Sequence, residues 1–391
     1  MRLVKLFVIL IFLGSLISCI DMNEVIEIRQ IPELNWFHAY GGKFKDAAIS
    51  TIENENHEFI TVGFGQINKN DNNDVFVIKT SSRGDTIWTK YYASNSFEGG
   101  KSIISHDDNY LIAGESSHQD DGQGWDINVI CIDDIGNELW RRKFKTQDNE
   151  IGRKIIEAEE DSFMILGTSS AVQGDEERIL VMKIDENGNE LWSKIFTGNK
   201  YTSGFDIIKT TDQNYMIAGT TMSSTDSSKD IYLLKIDQEG NELWSKTYGE
   251  ALDDIGKTIS KASDQSYIIC GESTSSGEMV GAVKVMKIDS NGDVIWSNAF
   301  GEQEFVKSSI ITTDNTLYIV GSTESIERNM IDVMVLKINS SGEKEWMKTF
   351  GGTAYDNGFS IMLATNGNLI VSGTVDVSLL NTQVFITELK P

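Results

Sequence analysis

The chain has 391 residues, 40% of them hydrophobic, and carries 34 Lys and Arg against 59 Asp and Glu, a formal charge of −25. A chain this acidic repels phosphate backbones, which sets nucleic acid aside as a partner and leaves cations, cationic partners or neutral ligands. Only two prolines occur, which suits densely paired sheet.

The first elements in chain order belong to a processing signal. Arg2 and Lys5 form a basic head, and Leu6 to Ile17 is an apolar run of twelve, short for a permanent membrane helix. It ends in Leu16-Ile17-Ser18-Cys19, which resembles the lipobox of bacterial lipoproteins. That resemblance implies a signal peptide over residues 1–18 and an acylated Cys19 as the new N-terminus; the alternative is an ordinary signal peptide with a chance cysteine. Acyl chains bury ~0.8 kcal/mol per CH₂, so several chains give a durable anchor. Ile20 rather than Asp follows the cysteine, which favours the outer membrane. Asp21 and Glu24 are also compatible with the acidic surface-export signals of Bacteroidota-like lipoproteins. Residues 19–34 read as a lipidated tether.

From residue 35 to 391 the chain keeps a period. Seven of the eight tryptophans, Trp36, Trp88, Trp140, Trp192, Trp244, Trp296 and Trp346, are spaced 52 residues apart, with one final interval of 50. Such a period means a repeat architecture. In the unit around Trp192, Val181–Asp185 and Glu190–Phe196 read as strands joined by a tight turn. Phe205–Thr211 and Tyr215–Gly219 read as the next two. A glycine stands four residues before the tryptophan in six units (Gly84, Gly136, Gly188, Gly240, Gly292, Gly342) and suits a turn that needs positive φ. Asp or Asn stands seven before it in five of these turns, with Ser81 the exception. An aromatic follows each tryptophan by four residues, on the same strand face (Tyr40, Tyr92, Phe144, Phe196, Tyr248, Phe300, Phe350). Another glycine closes the strand at Gly63, Gly114, Gly167, Gly219, Gly271, Gly321 and Gly373. Cys131 and Cys270 lie in apolar strand patterns of different repeats and read as buried thiols.

Four short strands per unit without helical periodicity predict an all-β, seven-bladed β-propeller, a fold that protects its sheet edges by radial repetition. The chain opens with a Trp strand (Asn35–Tyr40) and ends with three strands lacking one (Asn357–Ala364, Asn368–Gly373, Gln383–Lys390). A 3+1 closure follows, with the N-terminal strand completing the last blade. A linear β-solenoid, which needs no complementary ends, is the alternative. The Asp-x-x-Gly-x-x-x-Trp turn of Asp185, Gly188 and Trp192 resembles the tryptophan-docking repeat of PQQ-type propellers, one residue shorter than usual. Units such as Trp244-Ser-Lys-Thr-Tyr-Gly and Tyr-Ile-Ile-Cys-Gly-Glu-Ser-Thr more closely resemble the propeller lipoproteins of Bacteroidota. This resemblance implies the fold and leaves the function open, because propellers host many unrelated activities.

Candidate site residues sit in the longer loops, such as Ser116–Asp126 and Thr221–Lys229, which emerge on one face. Ten residues after the tryptophan an acid recurs at Asp46, Glu98, Glu150, Asp254 and Asp356; Thr202 and Val306 break the pattern, and Glu304 is a displaced counterpart. These carboxylates either ring the channel mouth as a cation site or accept backbone N–H groups in each inter-blade loop. One residue earlier stand Phe97, Tyr201, Phe305 and Tyr355, suited to carbohydrate stacking, cation–π contact or inter-blade packing. Trp125, outside the repeat in an Asp/Gly-rich loop, is a ligand-contact candidate or a residue folded back on its blade.

No cofactor or metal is expected. The Trp125 loop lacks EF-hand spacing, the four histidines (His38, His57, His106, His118) form no ligand motif, and no Gly-x-Ser-x-Gly elbow or phosphate loop occurs. The adjacent-cysteine pair of quinoprotein dehydrogenases is missing, while a glycosidase carboxylate pair stays open. The reading is a monomeric, membrane-anchored, non-enzymatic propeller scaffold that binds an envelope protein or a glycan. The alternative is a carbohydrate-binding or carbohydrate-active envelope lipoprotein.

Overall fold

Each repeat folds into four antiparallel strands because its two middle segments are apolar on both faces while its outer segment alternates. The structure, a computed structural model, describes residues 34–391 apart from residues 43, 69–71, 95, 118–123, 146–147, 160, 172–175, 199–200, 224–226, 251, 275–280, 302–303, 326–329, 353–354 and 379–380. Residues 1–33, which hold the expected signal peptide, Cys19 and all of the expected tether except Leu34, lie outside the described residues; Leu34 itself opens a strand rather than closing the tether. In the third blade the strands are Asn149–Glu157, Ser162–Ser170, Glu177–Asp185 and Glu190–Phe196, paired in chain order from the axis outward. Seven such four-stranded sheets form a ring, the seven-bladed propeller that the tryptophan period predicts.

The seventh blade is composite. Asn357–Leu363, Leu369–Ser378 and Asn381–Leu389 are followed outward by Leu34–Tyr40 from the other end of the chain. Trp36 pairs with Glu388 and Tyr40 with Val384, and Thr387 Oγ1 donates to the Trp36 carbonyl at 2.6 Å. The 3+1 closure is thus the observed one.

The core lies between blades rather than inside any of them. One cluster joins Leu111, Ile127 and Val129 of the second blade to Ile155, Phe163, Ile165 and Met182 of the third. Another joins Phe59, Phe76 and Ile78 of the first blade to Ile370, Val384 and Ile386 of the seventh. Burying such a side chain contributes about 1.5–3 kcal/mol. Cys131 and Cys270 are free, buried thiols.

The tryptophan and the turn glycine are one device. The glycine of each of these turns adopts positive φ, +73° at Gly240, and the residue three positions before it, Asp in four turns, Asn339 in one and Ser81 in another, clamps the turn. Asp237 Oδ1 accepts from the Glu239 and Asn241 amides at 3.1 and 2.7 Å. The tryptophan of the preceding blade packs on that glycine: a Cβ at Gly240 would stand 2.6 Å from the Trp192 ring. On the ring's own strand a cation lies near it, Lys194 Nζ at 5.7 Å from the centroid. Where the residue four positions on is tyrosine, its hydroxyl reaches the same glycine's carbonyl, as Tyr92 donates to Gly136 at 2.8 Å.

Candidate functional site

The five recurring acids open the innermost strands and are buried, between 0% and 2% exposed. Asp46 accepts from the Gly42 amide at 2.8 Å and from the Tyr91 hydroxyl at 3.1 Å. Asp254 accepts from the Glu250 amide at 3.0 Å, and Asp356 from the Gly352 amide four residues back. Glu98 meets Arg141 Nη1 at 2.5 Å and Lys143 Nζ at 2.6 Å, and Glu150 accepts from the Ser169 hydroxyl at 3.4 Å. Glu304 takes the equivalent register in the sixth blade, two residues before the Val306–Gly321 pair. Each carboxylate is therefore engaged by its own loop or blade. Burial raises the pKa of Asp46, and raises that of Asp356 to about 6, with the charges of Asp332 and Asp376 adding to the effect.

The aromatic candidates do not share one environment. Trp125 is not a loop residue: it is the first residue of the strand Trp125–Asp133, pairs with Ser117, and meets Phe97 edge-on at 5.2 Å. Its loop neighbours 118–123 lie outside the described residues. Tyr201 is half-buried with Lys229 Nζ at 5.7 Å from its ring, Phe305 is half-buried, and Tyr355 is 50% exposed. Of the candidates, Phe97 and Trp125 are brought together.

A set of residues that share no common type from repeat to repeat lines the central channel. Every innermost strand carries a β-bulge at the same register, three residues after the acid position, between Ala48 and Ser50, Gly100 and Ser102, Gly152 and Lys154, Gly204 and Asp206, Gly256 and Thr258, Val306 and Ser308, and Gly358 and Ser360. A bulge leaves one residue unpaired and re-aims its side chain. The unpaired residues are Ile49, Lys101, Arg153, Phe205, Lys257, Lys307 and Phe359, and all seven border one cavity of about 710 Å³ on the propeller axis. The closing glycines exist because of these bulges. A Cβ at Gly219 would lie 2.0 Å from the Ser203 carbonyl oxygen, and one at Gly271 would lie 1.8 Å from that of Ile255. The bulged strand presses its backbone onto the glycine, and no other residue fits.

Four of the seven ring positions are cationic in a chain of charge −25. Lys101 is paired with Glu115 at 2.8 Å. Arg153 is held by a 2.8 Å bond from Nε to the Thr168 hydroxyl. Arg153 and Lys257 both stand by the Phe205 ring, 4.9 and 4.4 Å from its centroid, and Lys307 lies 5.9 Å from that of Phe359. Burial lowers the Lys257 pKa; Glu272 opposes, and the charges of Lys307, Arg153 and Lys229 lower it further. Farther along the same strands the wall turns aliphatic at Ile52, Ile104, Ile156 and Ile310. Chemically, the channel presents cations and flat apolar surface together. Among the described residues no cluster of His, Cys, Asp and Glu is arranged to hold a metal, and no helix is long and apolar enough to cross a membrane.

No protein-family model and no curated protein matches the chain. Solved structures do match it. YCF48 bound to D1 peptide is 9% identical over 93% of this chain and 98% of that one, with a TM-score of 0.50. The phage phi92 endosialidase is 11% identical, covering 93% of this chain and 69% of that chain, at 0.51. A protein of unknown function from Bacteroides caccae is 12% identical over 71% and 89%, at 0.44. At such identities the likeness is one of fold: the chain is a seven-bladed β-propeller.

Proposed function

We propose that this propeller is a non-enzymatic binding scaffold, lipid-anchored through Cys19 at the bacterial cell envelope, whose ligand enters the central channel. The observation that carries this reading is the set of seven register-matched bulges, which give up one ladder pairing per blade to turn a side chain toward one open cavity. A bulge also bends and twists its strand, but here all seven aim their unpaired side chains at one cavity, which gives a binding wall one variable position per blade. Differential scanning fluorimetry of the chain against envelope glycans, peptides and small metabolites tests it. A stabilising ligand that no longer shifts the melting temperature of Phe205→Ala supports the channel. A ligand indifferent to every ring substitution contradicts it.

The carbohydrate-binding alternative rests on the Phe97–Trp125 pair, two aromatic rings that meet edge-on. Glycan binding abolished by Trp125→Ala but not by Phe205→Ala favours that reading, and release of sugar product would make the protein an enzyme.

A further inference from the structure

We propose that the bulge ring is a binding site for a compact organic anion bearing two or more carboxylate or phosphate groups on a flat, partly apolar body. The inference rests on the channel being the ligand surface and names the ligand class.

The argument starts from charge balance. Of the four ring cations, Lys101 is neutralised by Glu115. Arg153, Lys257 and Lys307 have no carboxylate within ion-pair distance among the described residues, although ion pairs hold many of the chain's other lysines, such as Lys235 with Asp212 and Lys287 with Asp264. The neighbouring acids are held elsewhere by geometry: Glu272 accepts from the Val306 amide at 3.0 Å and acts on Lys257 only from beyond ion-pair distance, and Asp206 accepts from the Ile259 amide at 3.0 Å while facing Lys154 at 3.6 Å. A chain with 59 acidic residues has thus placed three cations without an ion-pair partner among the described residues, on the third, fifth and sixth blades, around one cavity. Like charges crowded together destabilise the empty site and favour an anion that bridges them.

Shape narrows the class. Arg153 is fixed by Thr168, which leaves its terminal nitrogens as a fork suited to a carboxylate or phosphate. Phe205 lies between the third- and fifth-blade cations, and Phe359 and Ile49 complete the ring, so a planar apolar body is covered where its acidic groups are paired. A bare inorganic ion uses the cations and leaves the apolar ring positions without contact. A cavity of about 710 Å³ accommodates a molecule of metabolite size.

The test is isothermal titration of the detergent-solubilised full chain with benzene-1,3,5-tricarboxylate, its uncharged tricarboxamide, citrate and inorganic phosphate. The expected result is tightest binding by the aromatic tricarboxylate, with the tricarboxamide silent. Lys257→Met and Lys307→Met should each weaken it by about tenfold, and Lys101→Met, whose charge is already paired, by much less. Melting curves confirm that each variant is folded. Equal binding of the tricarboxamide overturns the anionic assignment but leaves the channel as a ligand site. Phosphate binding as tightly as the tricarboxylate overturns the organic one. Tricarboxylate binding insensitive to all three variants, or no binding, overturns the site itself.

Discussion

The side-chain amide of Asn35 donates to the carboxylate of Glu388 at 2.8 Å across 353 positions of sequence, and with the Trp36–Glu388 strand pairing it ties the two ends of the chain into one blade. Deleting residues through Tyr40 removes this strand, strips Trp36 and Tyr40 from their cluster with Phe59 and Phe76, and bares the edge of Asn381–Leu389. Trp36 and Tyr40 are half-buried, so each loss costs less than the ~3–5 kcal/mol of a fully buried large aromatic, but with the lost strand pairing it takes a large part of a domain's ~5–15 kcal/mol margin. The melting temperature should drop sharply, with association detectable by light scattering. Deletion of residues 20–33 alone should leave both unchanged. Equal melting temperatures for the two truncations would contradict the closure.

Two glycines separate backbone strain from docking. Gly240 and Gly367 have nearly the same φ, +73° and +83°, but a Cβ at Gly240 meets the Trp192 ring at 2.6 Å while one at Gly367 meets nothing within 4 Å. Gly367→Ala should cost only the conformational term, roughly 1–2 kcal/mol. Gly240→Ala should cost roughly 1–3 kcal/mol more by overpacking, seen as a lower denaturation midpoint. Equal costs would mean that the tryptophan is not docked on the turn.

Stability should rise on mild acidification before it falls. The Asp356 pKa is raised by burial from 3.8 to about 6. Between these values the folded chain holds a proton that the unfolded chain lacks, so stability from this group increases as pH falls from above 6 toward 4, by at most about 3 kcal/mol. Asp212 and Asp264 work the other way. Both are held at about 2, Asp212 by Lys235 against opposing burial and Asp264 by its bond from Lys287, so their contribution is present above pH 4 and lost as pH falls toward 2. Thermal melts from pH 7 to 3 should pass through a maximum near pH 5, and Asp356→Asn should flatten the rise. Parallel curves for the two proteins above pH 5 would refute the assignment.

Anchoring is tested separately. Cys19→Ser should abolish acylation and leave unprocessed or soluble protein in cell fractions. Free wild-type chain in the medium with an unmodified N-terminus would contradict the lipid anchor, and protease shaving of intact cells reads the side of the membrane it faces.

The propeller was legible because docking one tryptophan per blade fixes a residue type at a fixed interval, and Trp36 to Trp346 carry that interval in plain view. The glycine and aromatic companions were legible for the same reason, since each touches the same ring or turn. The channel wall was not. A bulged residue is unpaired, so Ile49, Lys101, Arg153, Phe205, Lys257, Lys307 and Phe359 obey no common residue type, and a period-two reading runs straight through the bulge. Its signal was present in the closing glycines, Gly63 to Gly373, because a glycine inside a strand marks a bulge or a close backbone approach. The recurrence of the acids is visible along the chain, but their burial depends on partners that only folding assembles: Arg141 and Lys143 for Glu98, the Gly352 amide for Asp356. In sequence Trp125 reads as a loop residue because the Gly122-Gln123-Gly124 run hides the start of its strand.

The most direct test of the channel as the ligand site is a crystal structure of the protein soaked with a triiodinated isophthalate, whose iodines report their position by anomalous scattering. Iodine peaks on the propeller axis, with the carboxylates against Arg153, Lys257 and Lys307, are the result this account predicts. Peaks confined to the outer surface or to the Phe97–Trp125 edge, with the axis empty, would contradict it.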